Sequence, residues 1–174
     1  MDFFTVPTIT CQVLYVFLMV ENSTRRIVHF NVTAHPTMEW TARQLVEVFP
    51  WDTAPTYILR DRDKIYGRVF TAMVEAMGIE DVPTAPRSPW QNPYIERLIG
   101  TVRRDCLDHV IVLGDRHLHR VLTEYVTYYN GSRTHLGLEK ECPVPRSVEP
   151  PEIGPIQKSP FLGGLHHRYF REAA

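Results

Sequence analysis

Apolar residues are spaced along the first third of the chain in ways that predict β-strands. Residues 13–20 form an unbroken apolar run rich in β-branched and aromatic side chains, which is typical of a strand covered on both faces. Residues 27–32 alternate in polarity and follow a turn-forming segment at 21–24, so the two runs predict a hairpin. Shorter β-prone runs predict three further strands at residues 3–6, 57–59 and 82–84.

Four segments show the spacing of apolar positions that predicts amphipathic helices. They begin at or near residues 38, 69, 93 and 115. Thr37 is a candidate cap for the first helix. Asn92 is a good N-cap for the third, and Pro93 occupies its first position, where a missing N–H costs nothing. The order of strands and helices indicates an α/β fold, with helices packed on a mixed sheet.

Length and composition fit one domain followed by a tail. The chain has 174 residues, 44% of them hydrophobic, which is enough to bury a sizeable core. Prolines accumulate between residues 142 and 160. This pattern predicts a core domain at 1–141 and an extended, Pro-rich tail or wrapping arm at 142–174. The stretch 163–171 within that tail is small, basic and aromatic.

Charge and cysteine usage narrow the possible partners and compartments. A formal net charge of -1 gives the whole chain no electrostatic footprint for nucleic acid, so local clusters must hold any anionic partner. The apolar run at 13–20 is too short to span a membrane, and the N-terminus lacks a signal peptide pattern. Cys11, Cys106 and Cys142 lack metal-ligand spacing and indicate buried thiols in a reducing, cytoplasmic compartment.

Acidic residues at the ends of predicted elements are candidates for a metal site. Asp2 opens the first strand, Asp61 or Asp63 follows the strand at 57–59, and Glu96 lies one turn into the third helix. Such carboxylates can converge at one edge of an α/β sheet. Hard oxygen donors without His or Cys favour Mg²⁺ or Mn²⁺ over Zn²⁺, and two such ions suit an in-line phosphoryl displacement. The alternative is that these acids only cap or solvate turns.

Several segments together resemble the D,D,E integrase core shared by bacterial insertion-sequence transposases and retroviral integrases. They are Asp2-Phe-Phe-Thr5, Leu59-Arg-Asp61-Arg-Asp-Lys-Ile-Tyr66-Gly, Ser88-Pro-Trp-Gln-Asn-Pro-Tyr-Ile-Glu96-Arg-Leu-Ile-Gly-Thr-Val-Arg-Arg104, and Tyr128-Tyr-Asn-Gly-Ser-Arg133-Thr-His135-Leu-Gly-Leu138 followed by Pro143. The resemblance runs from residue 2 to about residue 150. It implies a ribonuclease H-like α/β fold, with a mixed five-stranded sheet flanked by helices.

The resemblance also implies a site and an activity. It selects Asp61 over Asp63, because the family places an aromatic residue five positions after this acid and Tyr66 fits. Asp2, Asp61 and Glu96 would then be the catalytic residues and would hold two Mg²⁺ or Mn²⁺ ions. The implied function is DNA integration or transposition, in which water cleaves the element end and the freed 3′-hydroxyl attacks target DNA. The basic residues implied to bind DNA are Arg103, Arg104, Arg133 and His135.

The implied partners are the element ends and target DNA, bound by a homo-oligomer in the bacterial cytoplasm at the nucleoid, without a membrane. The family carries a helix-turn-helix region ahead of its first acid, whereas Asp2 directly follows Met1. One alternative is therefore a truncated, catalytically inactive remnant that acts as a DNA- or partner-binding module. Another is a related metal nuclease that cleaves without strand transfer, although the motif containing Arg133 and His135 argues against it.

Overall fold

The computed structural model describes residues 1–50 and 53–172. Residues 51–52 of the predicted core and 173–174 of the predicted tail lie outside that described part. The strands and α-helices are β1 (Asp2–Pro7), β2 (Val13–Val20), β3 (Ile27–Thr33), α1 (Met38–Val48), β4 (Tyr57–Arg60), α2 (Arg68–Ala76), β5 (Glu80–Pro83), α3 (Pro93–Asp105), α4 (Asp115–Gly131), β6 (Ile156–Phe161) and β7 (His166–Arg171). Every strand and helix predicted from the sequence is present, with small shifts at the ends.

The strands of the core form two sheets rather than the single five-stranded sheet that was expected. β1, β2 and β3 pair in that order as an antiparallel sheet, while β4 and β5 pair in parallel. A hydrogen bond of 2.8 Å from the Met1 nitrogen to the Leu59 oxygen connects the two sheets. A cavity of about 460 Å³ lies between the end of β2 and the beginning of β4, with Met1, Val20 and Tyr57 in its wall. The described core strands thus form a three-stranded and a two-stranded sheet.

Both faces of β2 are buried, as its continuous apolar run predicts. Leu14, Val16 and Leu18 belong to a core shared with α3 and α4. Phe17 and Met19 point the other way, because side chains alternate along a strand, and join a second core with α1, α2 and β4. The antiparallel sheet therefore lies between two pairs of helices.

Asn130, near the end of α4, completes the hydrogen bonding of β3. Its side-chain nitrogen donates to the Ile27 oxygen, and its side-chain oxygen accepts from the Ile27 nitrogen, both at 2.9 Å. The amide group thus pairs with the strand as another strand would. This contact joins parts of the chain that are 103 residues apart.

Replacing Asn130 with Ala is expected to lower the free energy of unfolding by about 1–3 kcal/mol, because two partly buried backbone groups of Ile27 lose their partner. Urea unfolding measures the change. Asn22→Ala is the matched control, since the described residues include no side-chain hydrogen bond from Asn22, and a change within about 0.5 kcal/mol is expected. Equal losses in both variants would contradict the role assigned to Asn130.

The predicted tail contains a β-hairpin that the sequence pattern did not predict. β6 and β7 pair in an antiparallel arrangement, with Lys158 opposite Tyr169. The hairpin packs on α4, where the His166 ring stacks on the Tyr128 ring at 4.3 Å, and the His166 Nε2 lies 2.6 Å from the Asp105 oxygen. The segment therefore wraps onto the core instead of remaining extended. Its strands are short and one contains Pro160, so they carry a weak strand signal.

No helix among residues 1–50 and 53–172 is both long and apolar enough to cross a membrane. Cys106 and Cys142 are buried thiols, as the sequence predicted. Cys11 differs, because it is exposed in the turn between β1 and β2. The described cysteines are all free thiols.

Candidate functional site

The helix α3 lies along β1 and holds the first strand at both ends. The Asn92 side chain donates to the Met1 oxygen at 3.4 Å, and the Arg103 guanidinium donates to the Thr5 oxygen at 3.0 Å. Asn92 was predicted to cap α3 with its side chain, but it makes no such bond and binds the strand instead. Glu96, in the first turn of α3, lies between these two contacts and is therefore carried beside the start of β1.

The structure brings Asp2, Asp61 and Glu96 to the same end of the fold. Asp2 opens β1, Asp61 directly follows β4, and Glu96 faces solvent from α3. The pKa of Asp2 is raised to about 6, chiefly by burial and then by the negative charges of Asp61 and Glu96, while a hydrogen bond from the Phe3 N–H opposes the rise. The mutual repulsion of these carboxylates is the electrostatic condition that a bound cation relieves.

The donor chemistry fits a hard divalent cation, but the side chains are not drawn together around one point. In the described part of the chain, no group of three or more His, Cys, Asp or Glu side chains is arranged to hold a metal ion. One oxygen of each aspartate is already engaged with the backbone: Asp2 accepts from the Phe3 nitrogen at 2.7 Å, and Asp61 accepts from the Asp63 nitrogen at 3.2 Å. The second carboxylate oxygen of each residue is the one that could become a ligand.

Asp63 serves the turn that follows β4. Its carboxylate oxygen accepts from the Ile65 nitrogen at 3.0 Å, and the residue is exposed. Asp61 and Asp63 thus each bond the backbone two residues on, which is typical of Asx turns. The segment between β4 and Tyr66 is therefore organised by side-chain hydrogen bonds.

Arg60 fixes the backbone next to Asp61. Its guanidinium donates to both carboxylate oxygens of Asp81 at 2.8 and 2.6 Å. It also donates to the backbone carbonyl oxygen of Asp61 at 2.9 Å. The Arg60 side chain is only 9% exposed. It also lies over the Tyr66 ring, 5.3 Å from its centroid. This residue was not among the sequence-predicted site residues, because its partner lies 21 residues away on the neighbouring strand.

Tyr66 lies beneath the carboxylates and its hydroxyl is buried without a hydrogen-bond partner among the described residues. The ring contacts Phe3, with the centroids 6.0 Å apart, and Phe70 at 5.0 Å. Burial and the nearby charges of Asp2 and Asp61 raise the pKa of the phenol, so it stays protonated. The sequence marked Tyr66 only as the aromatic residue of a motif, and its position beside the acids was not predicted.

The four predicted DNA-binding residues divide into two groups. Arg103 lies 5.2 Å from the centroid of the Phe4 ring, and Arg104 is exposed one residue further along α3. Arg133 instead forms an ion pair of 2.8 Å with Asp105. The pKa of His135 is lowered to about 4 by burial and by the charge of Arg133, so its ring is neutral near pH 7. Arg133 and His135 therefore have contacts within the fold, whereas Arg104 faces solvent.

Replacing Asp2 with Asn is expected to flatten the dependence of stability on pH in metal-free buffer. The folded-state pKa of about 6 lies above the unfolded value of 3.8, so the folded protein binds this proton more tightly. The free energy of unfolding attributable to Asp2 therefore falls as the pH rises through that window, by on the order of 1–3 kcal/mol. Urea unfolding of both proteins across the window measures the difference.

The exposed Asp108 provides the control for this measurement. Asp108→Asn is expected to retain the slope of the original protein, because that side chain is not buried among other acids. The pH dependence assigned to Asp2 would be contradicted if Asp2→Asn and the original protein lost stability equally between about pH 4 and about pH 6.

The later part of the site coincides with a known sequence family. Residues 77–143 match the family model described as integrase core domain. This segment is similar in sequence to integrase core domains. It contains Glu96, Arg103 and Arg133, but the match does not extend to Asp2 or Asp61. No curated protein matches the chain by sequence.

Solved integrase structures share the fold over most of the chain. The catalytic core domain of BIV integrase aligns with a TM-score of 0.52 and 13% sequence identity, covering 82% of this chain and 88% of that one. A chain of the simian T-cell lymphotropic virus intasome, solved in complex with PP2A regulatory subunit B56 gamma, aligns with a TM-score of 0.63 and 14% identity. That alignment covers 98% of this chain and 64% of the other.

These similarities support the fold and the resemblance found in the sequence. The chain shares the α/β fold of these integrase structures, although its described strands form several small sheets. At identities of 13% and 14%, the structural likeness concerns the fold and not the chemistry. The assignment of the site therefore depends on the residues of this chain.

Proposed function

We propose that this chain is a DNA-processing polynucleotidyl transferase that uses Asp2, Asp61 and Glu96 as its catalytic acids. The observation that carries the proposal is that hydrogen bonds from Asn92 and Arg103 hold α3, and with it Glu96, against the strand that Asp2 opens. These acids come from three separate elements, and Glu96 lies within the segment that matches the integrase core domain. The substrate would be DNA, with element ends and target bound by a homo-oligomer in the bacterial cytoplasm.

The donor set suits two Mg²⁺ or Mn²⁺ ions, which when bound neutralise phosphate charge and activate an attacking hydroxyl. Asp2, Asp61 and Glu96 would hold them. In the proposed reaction, water breaks a P–O bond and leaves a 3′-hydroxyl. That hydroxyl then attacks a phosphodiester of target DNA, forming one P–O bond and releasing another 3′-hydroxyl. The residues of the chain would position the phosphodiester for in-line attack, which is the main requirement of phosphoryl transfer.

Two neighbouring groups would support the acids. Arg60 holds the backbone of Asp61 through its bond to the Asp61 oxygen, so the acid is presented from a fixed strand end. Arg103 and Arg104 lie two turns further along α3 from Glu96, on the side where DNA would extend. Cations at this distance can bind phosphates without taking part in the chemistry.

The proposal is tested by incubating the chain with labelled DNA and Mg²⁺ or Mn²⁺. We expect nicked or joined products with either metal and none when EDTA is added. The alternative function, a catalytically inactive DNA- or partner-binding module, gives DNA binding but no metal-dependent product. Joined products distinguish a transposase-type activity from a nuclease that only cleaves. An absence of all products with both metals would overturn the catalytic proposal for this chain.

A further inference from the structure

Residues 156–171, which form the β6–β7 hairpin, are positively charged in an otherwise acidic chain. They contain Lys158, Arg168 and Arg171 and no Asp or Glu, whereas the whole chain has a formal net charge of -1. The ion pairs of the described residues lie elsewhere in the fold and involve none of these three cations. The hairpin is therefore a local cationic surface of the kind that the overall charge conceals.

The two faces of the hairpin have different environments. The inner face carries Phe161 and His166, whose rings lie 5.7 and 4.3 Å from the Tyr128 ring of α4. Side chains alternate along a strand, so the residues adjacent to these in sequence point outward. The outward-facing residues of β6 and β7 are Ile156, Lys158, Pro160, His167, Tyr169 and Arg171. The outer face thus combines cations with aromatic rings.

Tyr169 is the centre of this outer face. Its side chain is 62% exposed, although it is large and largely apolar. Lys158 lies directly opposite on β6, and the His167 ring lies 6.4 Å from the Tyr169 ring on the same strand. The Arg146 guanidinium donates to the backbone carbonyl oxygen of Tyr169 at 3.4 Å, which places a further cation beside the hairpin.

Arg171 is anchored at the open end of the hairpin. Its guanidinium donates to the Gly154 oxygen at 2.8 Å, and its backbone nitrogen donates to the carboxylate of Glu149. Glu149 thus engages the Arg171 backbone rather than its guanidinium, and Glu172, the next residue in the chain, is a second acid at this end of the hairpin. Arg171 is half-buried, and its bond to Gly154 holds the guanidinium in place.

We propose that the outer face of the β6–β7 hairpin binds the sugar–phosphate backbone of DNA, with Lys158, Arg171 and Arg146 contacting phosphates and Tyr169 stacking on a base or sugar. Proteins usually bind nucleic acid without sequence preference through cations spaced along its phosphate backbone and exposed aromatic rings between them. An acidic peptide would use the same cations but would gain little from the exposed ring, so the face favours nucleic acid. The choice of DNA rests on the proposed function.

The position of the hairpin allows one DNA molecule to contact both this face and the carboxylates. His166 bonds the oxygen of Asp105, the last residue of α3, while Glu96 lies in the first turn of the same helix. These two residues are separated by about 14 Å along the helix axis. Arg103 and Arg104 lie in the last turn of α3, so two further cations are near the helix end that the hairpin contacts.

Fluorescence anisotropy with a labelled DNA duplex in EDTA tests the proposal. Lys158→Glu combined with Tyr169→Ala is expected to weaken binding at least about tenfold near 0.1 M salt, and to reduce the salt dependence by about one unit of slope for each phosphate that is no longer bound. Tyr169→Phe is expected to bind as the original protein does, because it keeps the ring. Circular dichroism melting should be unchanged, since both side chains are exposed.

Arg43→Glu is the matched control, because it makes the same change of charge as Lys158→Glu at an exposed site on α1. It is expected to weaken binding much less. Equal loss in Arg43→Glu, or normal binding by the Lys158→Glu and Tyr169→Ala double variant, would overturn the proposal. So would a poly-glutamate peptide that binds as tightly as DNA and is equally sensitive to Tyr169→Ala, because the face would then be an acidic-peptide site.

The binding assay and the activity assay test the two proposals separately. Binding is measured in EDTA, where no metal-dependent product can form. Hairpin-dependent binding without any metal-dependent product would overturn the proposed catalytic function and support the binding face. Metal-dependent products, together with normal DNA binding by the hairpin variants, would support the proposed catalytic function and overturn the binding face.

Discussion

Glu96→Gln is expected to reduce metal-dependent DNA cleavage and joining by on the order of 10²-fold or more, because it removes one of the three negative charges proposed to hold the metal ions that neutralise the reacting phosphate. Glutamine has nearly the same shape and keeps one oxygen, but it carries no charge to bind a divalent cation. Glu96 is exposed in the first turn of α3, so the fold should not depend on its charge. Quantified cleavage of labelled DNA under single-turnover conditions measures the loss.

Glu75→Gln is the control for this variant, since Glu75 is an exposed glutamate on α2 in the described structure. It makes the same chemical change away from the acids and should leave the rate unchanged. Loss of activity in Glu96→Gln should be accompanied by unchanged thermal stability. If Glu96→Gln cleaved DNA at the original rate with Mg²⁺, Glu96 would not be a catalytic acid and the site would need a different third residue.

Arg60→Met is expected to lower the free energy of unfolding by about 3 kcal/mol, at the low end of the range for removing one partner from a buried ion pair. The substitution leaves the Asp81 carboxylate, which is 24% exposed, without its two charge-assisted hydrogen bonds. It also removes the donor to the Asp61 oxygen. Because this bond fixes the end of β4, DNA cleavage should fall together with stability. Urea unfolding and the cleavage assay measure the two effects.

A second variant separates the effect of the unpaired Asp81 charge from that of the lost bond to the Asp61 backbone oxygen. Combining Arg60→Met with Asp81→Leu removes both charges, so much of the lost stability should return, as apolar replacements of buried pairs often do. Cleavage should remain low, because the bond to the Asp61 oxygen is still missing. Arg68→Met, at an exposed position, should change stability by less than about 0.5 kcal/mol. A similar loss from Arg68→Met would contradict the importance given to the Arg60 pair.

Local patterns in the sequence predicted the elements because the governing interactions are local or periodic. The unbroken apolar run at 13–20 requires cover on both faces, and β2 has it. Thr37 caps α1 by accepting from the Trp40 nitrogen at 3.1 Å, as its residue type predicted. The acids at the start of β1, after β4 and in the first turn of α3 were predicted to form one site from the rule that ligands bind at strand ends, and this assignment stays a prediction.

Interactions between distant parts of the chain were not predictable in this way. Asn92 had the residue type of a helix cap, but the proximity of β1 gave its amide group a different partner. Arg133 was expected at DNA, and Asp105 from another helix neutralises it. The choice between Asp61 and Asp63 could not be made from spacing, and it required a family resemblance. Such partners are set by tertiary structure, which no single stretch of sequence contains.

The split between the two sheets has a consequence for the energetics of the proposed metal site. Asp2 belongs to the antiparallel sheet and Asp61 follows the parallel one, and the Met1–Leu59 hydrogen bond spans the junction. A cation shared by these two acids would link the two sheets at that junction. The free energy of binding the cation would then add to the free energy of unfolding of the whole domain. Hydrogen exchange at β4 and β5 should therefore slow when Mg²⁺ or Mn²⁺ is added, because the proposed shared cation would join the two sheets.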